Sequence, residues 1–313
     1  MKKTIAKIPV LGQVYRYLAA TKYKQKFAND CYGCFWGMFD TFEAAIKAAP
    51  TTKNIGYDCA ELAQEYQKML DRGDWEASNS MVRSFDYPVL YWISRIAQQT
   101  SLFGVDVGDS LPLDTASGSQ SFSETRAVSP FLRNAARTEH HIHFFDFGGN
   151  LGIHFVNYAN YLDFPDSLRW IVCELPEIVK VGNASNKDPR LTFTTDFGLA
   201  NGADLFLASG SVQYDKDLAA KINGLEIQPK HILINRLGLY EGKRFVTLQN
   251  GGKVFYPQFI FNRREFIESF TSIGYELIDI WEDNVDSCYI PSHPQVHVPC
   301  YYGLYFKLNN GIV

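Results

Sequence analysis

The chain has no long apolar run. No stretch approaches the ~20 apolar residues that a membrane-spanning helix needs, and the N-terminus carries no continuous apolar signal core. Cytoplasm is therefore the expected compartment, with a peripheral place on the inner face of a membrane as a variant of it. Cysteine is sparse: six in 313 residues, irregularly placed and several inside apolar runs, a usage that suits a reducing compartment better than a disulfide framework. Charge of one sign is not in excess, since the net charge is −4. The core sequence holds no basic patch, so no nucleic-acid partner is expected. Acidic clusters with divalent-ion spacing are missing, and no metal is expected. What abounds is apolar: 46% of residues are hydrophobic and 15% aromatic, enough for a large core in one or two domains.

The most informative stretch runs from His143 to Gly152 and reads H-F-F-D-F-G-G-N-L-G. Phe144 and Phe145 end a buried strand, Asp146 sits at its carboxyl edge, and Gly148, Gly149 and Gly152 let the chain turn into a helix. Such a unit aims unpaired amide groups at a ligand, and glycines permit close approach. Trp170 to Cys173 reads as a second buried strand, and Glu174 ends it 22 residues after Gly152. An acid at that place accepts the two ribose hydroxyls of an adenosine group. A dinucleotide loop would read G-x-G-x-x-G around a pyrophosphate; here Asp146 would repel phosphate, which favours S-adenosylmethionine, a cation without phosphate, over NAD or ATP.

Residues 1 to 29 hold Lys2, Lys3, Lys7, Arg16, Lys22, Lys24 and Lys26 and no acid, interleaved with apolar positions. A basic amphipathic segment of this kind either docks on the body or lies on an anionic membrane surface. Cys31 and Cys34 form a C-x-x-C, read as free thiols, with half a zinc site or a redox pair as alternatives. Helical spacing follows over Thr41 to Leu70, broken at Pro50 and Gly56, and again over Val89 to Gln98. Residues 104 to 129 read as a long loop or lid. Strands are then expected at Leu191 to Phe193, Asp204 to Ala208 and Ile232 to Asn235, alternating with helices, as in a parallel sheet covered on both faces. Tyr275 to Trp281 and Tyr301 to Leu308 have no room for a crossover helix between them and should pair antiparallel across a polar loop, 282 to 299. His140, His141 and His143 precede the first strand and read as a solvated strand start.

With these elements in place the sequence resembles the class I S-adenosylmethionine-dependent methyltransferases. More narrowly, it is similar to a family of bacterial methyltransferases associated with surface-polysaccharide gene clusters. The matching motifs are F-D-F-G-G-N-L-G at 145 to 152, W-I-V-C-E-L-P at 170 to 176, A-S-G-S-V-Q-Y at 208 to 214, I-N-R-L at 234 to 237, T-L-Q-N at 247 to 250 and Y-P-Q-F-I-F at 256 to 261, with G-Y-D at 56 to 58 and D-Y-P-V-L-Y-W at 86 to 92. The resemblance implies an α/β fold: a Rossmann-like sheet of parallel strands with an antiparallel last strand over residues 131 to 313, preceded by a helical N-terminal region with its lid over 1 to 130. It implies that Asp146, Gly148, Gly149, Asn150 and Gly152 hold the methionine part of the cofactor, Glu174 the ribose, Leu175, Asp196 and Phe197 the adenine, and Ser209, Gly210 and Ser211 the face of the transferable methyl group. Gln213, Tyr214, Arg236 and Tyr256, with Gln249 beside them, match family motifs on the acceptor side.

The expected function is methyl transfer to an oxygen of a sugar or of a surface-polysaccharide or glycolipid precursor, so the partner is a small-molecule or glycan acceptor. An inactive Rossmann module that binds a glycan or protein is the alternative, and an NAD-dependent sugar enzyme is a third. For the base that removes the hydroxyl proton, His297 and His293 are the candidates, because the 282 to 299 loop should start on the cofactor edge of the sheet.

Overall fold

The computed structural model describes residues 9–57, 60–72, 81–99 and 142–309. Its N-terminal elements are α1 (Pro9–Ala28), β1 (Phe35–Phe39), α2 (Phe42–Ala48), β2 (Asn54–Ile55), α3 (Ala60–Asp71) and α4 (Tyr87–Gln99). Then follow β3 (Ile142–Phe147), α5 (Ile153–Tyr158), β4 (Leu168–Cys173), α6 (Pro176–Ser185), β5 (Leu191–Thr194), β6 (Leu205–Ser209), α7 (Leu218–Asn223) and β7 (His231–Leu237). The chain ends with β8 (Leu239–Tyr240), β9 (Phe245–Asn250), β10 (Val254–Asn262), α8 (Arg263–Thr271), β11 (Tyr275–Asp283) and β12 (Tyr301–Leu308). The 104 to 129 loop, His140 and His141 lie outside the described residues.

Seven strands form the main sheet in the order β11-β12-β7-β6-β3-β4-β5. Five of them, β3 to β7, run parallel, and β12 pairs antiparallel with both β7 and β11. The expected α/β arrangement, parallel with an antiparallel last strand, is therefore the one observed. Strands β6 and β7 are buried almost throughout, because helices cover both faces. Alternate side chains divide between two cores: Phe145, Phe206, Ile232 and Ile234 face one way, and Phe144, Trp170, Leu207 and Leu233 the other. The second core takes in α4, whose Val89, Ile93 and Ile96 recur at helical spacing after Pro88 opens its first turn. Strand order reverses beside β3, where β4 lies on one side and β6 on the other, so the loops after all three open into one crevice.

A second sheet, β1-β9-β10-β2 with β8 alongside β10, adds two short strands to the helices of the N-terminal region. β1 pairs antiparallel with β9, Trp36 opposite Leu248, and β2 pairs parallel with β10. The partners of these two short strands lie some 200 residues away in sequence, and β9 to β10 form an insertion between β7 and α8 that carries the T-L-Q-N and Y-P-Q-F-I-F motifs. Helix α1 anchors here: Phe27 is fully buried and stacks on Phe255 at 5.1 Å, and the Tyr23 hydroxyl donates to the Phe35 carbonyl.

Two expectations are corrected. Cys31 and Cys34 are joined as a disulfide, so neither is a free thiol nor offers a zinc ligand, while Cys173, Cys288 and Cys300 are free and buried. The loop after β11 is anchored by apolar groups, since Cys288, Ile290, Val296 and Val298 pack with Phe35, Phe245 and Ile260 of the second sheet. Among the described residues no helix is long and apolar enough to cross a membrane.

Candidate active site

The turn after β3 is shaped by positive φ at Gly148, Asn150 and Gly152, and the Gly148 amide donates to the Cys173 carbonyl at 2.9 Å, tying the turn to β4. Its glycines answer to neighbouring protein atoms. A Cβ on Gly149 would sit 2.3 Å from Asp146 Oδ2, one on Gly148 would sit 2.3 Å from Ser211 Cβ, and one on Gly152 would sit 2.8 Å from Leu191 Cδ2. Asp146 is fully buried. Both its oxygens lie 3.0 Å from His154 Nδ1, and Oδ2 also accepts from Trp170 Nε1 at 3.1 Å. Asp146 therefore does not reach the crevice to hold a ligand, and its charge is already met within the protein, so it repels no phosphate there. The side chain that lines the cavity in its place is His154, in the first turn of α5.

The crevice is a cavity of about 1310 Å³ between the carboxyl edge of the main sheet and the second sheet. It brings together Gly148, Asn150, Glu174, Leu175, Phe197, Ser209, Gly210, Ser211, Tyr214, Arg236 and Tyr256. Gly149, Gly152, Asp196, Gln213, His293 and His297 do not line it. Asp196 instead caps a short 3-10 turn by accepting from the Gly198 amide at 2.8 Å, and Gln213 is buried with its Nε2 donating to the Gly210 carbonyl. His297 is exposed, edge-on to Tyr289, and His293 is half-buried, because the apolar anchors of their loop carry it across the second sheet and away from the opening. His143, expected to be solvated, is half-buried, and burial pushes its imidazole below the usual value.

Glu174 sits at the end of β4 with Oε1 accepting from the Asn150 amide and Oε2 from the Leu175 amide, both at 3.0 Å. Burial raises its carboxyl above the usual range against the pull of those two amides. α3 roofs this end: Ala63 packs with Leu151 and Ile178, and Tyr66 beside them hydrogen-bonds Asn150, its phenol pushed up to about 12 by burial.

No protein-family model matches the chain, and no curated protein matches its sequence. Solved structures do resemble it. An S-adenosylmethionine-dependent methyltransferase from Mesorhizobium loti aligns with 54% of this chain and 93% of its own length, at 11% identity and a TM-score of 0.38. The 1,6-didemethyltoxoflavin-N1-methyltransferase of Burkholderia thailandensis, solved with 1,6-didemethyltoxoflavin and S-adenosylhomocysteine, aligns with 80% of this chain and 88% of its own, at 10% identity and a TM-score of 0.38. The glycopeptide N-methyltransferase MtfA, complexed with S-adenosylmethionine, aligns with 53% and 86%, at 10% identity and a TM-score of 0.35.

Beyond the glycine turn the cavity wall is polar. Asp86, nearly buried ahead of α4, accepts from the Arg83 amide and from the Tyr158 hydroxyl at 2.8 Å. Asn157, one turn after His154 and also lining the cavity, is buried with its Oδ1 unpartnered. Arg236 adopts φ 58 at a bulge in β7, where the pairing with β12 slips a register; there its Nε donates to Asp286 at 2.7 Å and its guanidinium lies 4.4 Å over the Phe85 ring. The opposite wall is aromatic: Tyr57 stacks on Tyr256 at 3.8 Å and its hydroxyl lies 3.2 Å from that of Tyr214. Burial raises the Tyr57 and Tyr214 phenols, so both stay protonated. His154, Asn157, Asp86 and Phe85 escaped the sequence reading. A signal existed in the spacing of Asp146 to His154, which spans the turn and the first helical turn, and in the D-Y-P and G-Y-D motifs.

Proposed function

We propose that this chain is an S-adenosylmethionine-dependent methyltransferase acting on a hydroxyl of a sugar or glycolipid precursor. The observation that carries the reading is Glu174: a desolvated carboxylate at the carboxyl end of β4, beside a glycine turn at the reversal of strand order, with lone pairs left for the two hydroxyls of a ribose. The donor set suits the rest of the cofactor. Leu175 and Phe197 offer apolar faces to an adenine, and the orphaned Asn157 Oδ1 with Asp86 offers acceptors to an ammonium. When bound, the cofactor supplies an electrophilic methyl group.

The chain's own part is alignment and proton removal. The Tyr57–Tyr256 stack is a flat platform for a pyranose ring, with Tyr57 and Tyr214 hydroxyls as its polar handles. His154 takes the role expected of His293 and His297. Its Nδ1 is held by Asp146, which leaves Nε2 to receive the hydroxyl proton while the Asp146 charge stabilises the imidazolium.

Calorimetry tests the reading. S-adenosylhomocysteine should bind the unaltered protein, NAD should not, and Glu174→Ala should weaken binding by about 1.5–3 kcal/mol through the lost charge-assisted contacts. A protein that binds neither S-adenosylmethionine nor S-adenosylhomocysteine would be the inactive binding module instead.

A further inference from the structure

Four exposed apolar side chains stand on the cavity lining: Tyr32 (83% exposed), Met81 (71%), Val285 (61%) and Ile46 (45%). They come from four separate segments: the α1–β1 loop, the approach to α4, the chain after β11, and α2. Single exposed apolar residues are ordinary, but four gathered at one opening form a patch with a cost in water. The loop that bears Tyr32 continues directly from α1, where Lys22, Lys24 and Lys26 are exposed and Lys24 Nζ lies 4.6 Å over the Trp36 ring. Seven cations and no acid precede residue 30, in a chain whose net charge is −4. Positive charge is thus segregated to the segment that leads into the apolar rim.

We propose that the mouth of this cavity docks on an anionic lipid bilayer, with α1 supplying the electrostatic attraction and the apolar rim entering the interface, so that the acceptor reaches the Tyr57–Tyr256 platform while still attached to a lipid. The acceptor part rests on the methyltransferase reading; the docking does not. A soluble polyanion would satisfy the lysines and leave the rim in water, whereas an anionic bilayer matches both. Tyrosine at such a boundary keeps its ring among acyl chains and its hydroxyl among headgroups.

Vesicle flotation of the full chain tests this. The protein should float with vesicles of phosphatidylcholine mixed with phosphatidylglycerol and not with phosphatidylcholine alone. Replacing Lys22, Lys24 and Lys26 by Gln should weaken the interaction about a hundredfold, and replacing Tyr32, Met81 and Val285 by Ser about tenfold. Far-ultraviolet circular dichroism and a thermal midpoint like the parent's, in both variants, confirm that each is folded. No flotation of the unaltered protein overturns the proposal. So does a rim variant that floats like the parent, or sedimentation showing that the rim substitutions split a dimer instead. Flotation by a protein that binds no S-adenosylhomocysteine would leave the docking standing and remove the methyltransferase reading.

Discussion

Burial alone would push the His154 imidazole down, but the Asp146 carboxylate outweighs it and holds the group above its ordinary value. A folded pKa above the unfolded value of about 6.5 makes the pair's contribution to stability complete below that pH and lost as pH rises through the folded value. His154→Gln should therefore cost the protein most stability in mild acid and progressively less as pH rises through the folded value. His143 and His231, both shifted down by burial, oppose this trend but are present in parent and variant alike. Paired thermal melts across the range measure the gap, and a gap that does not narrow would mean that His154 is uncharged when folded. On the proposed methyltransferase reading, turnover should rise over the same window, since Nε2 can take the acceptor's hydroxyl proton only while the ring is neutral.

Among the elements, the turn between β9 and β10 ties together three distant segments through Asn250. Asn250 is fully buried. Its Nδ2 donates to the Phe27 carbonyl at 2.6 Å, and its Oδ1 accepts from Lys53 Nζ and the Gly252 amide, both at 2.9 Å. One side chain thus joins the end of α1, the approach to β2 and the second sheet, which gives the T-L-Q-N motif a structural reason. Asn250→Ala strands the Phe27 carbonyl and should lower the unfolding free energy by about 2–3 kcal/mol. Urea unfolding reads this directly, and an unmoved midpoint would mean that water replaces the amide.

For the molecule as a whole, the second sheet makes the N-terminal segments part of the same packed body as the seven-stranded sheet. Phe42 of α2 stacks on Phe259 at 4.5 Å, and Phe27 lies on Phe255. Beginning the chain at residue 131 would strip β9 of β1, uncover Phe255 and Phe259 and remove Tyr57 from the cavity. Such a fragment should lose cooperative unfolding and near-ultraviolet circular dichroism. A well-dispersed amide spectrum from it would show instead that the seven-stranded sheet folds alone.

What the sequence by itself determined is whatever a local pattern encodes. Apolar runs such as Leu205–Ser209, bounded by turn residues and alternating with helical segments, read as strands buried on both faces, the polar span between Tyr275–Asp283 and Tyr301–Leu308 points to an antiparallel ending, and Glu174 closes a buried strand 22 residues after Gly152. The tertiary structure decided what depends on partners far along the chain. Phe35–Phe39 has no local reason to be a strand until β9 lies beside it, and the loop holding His293 and His297 reads as polar until the second sheet presents Phe35 and Ile260 to its buried residues. Asp146 looks like a ligand group until His154 and Trp170 close around it. Periodicity and spacing act within a few residues, whereas sheet pairing and the pairing of a buried charge are settled only when the whole chain has packed.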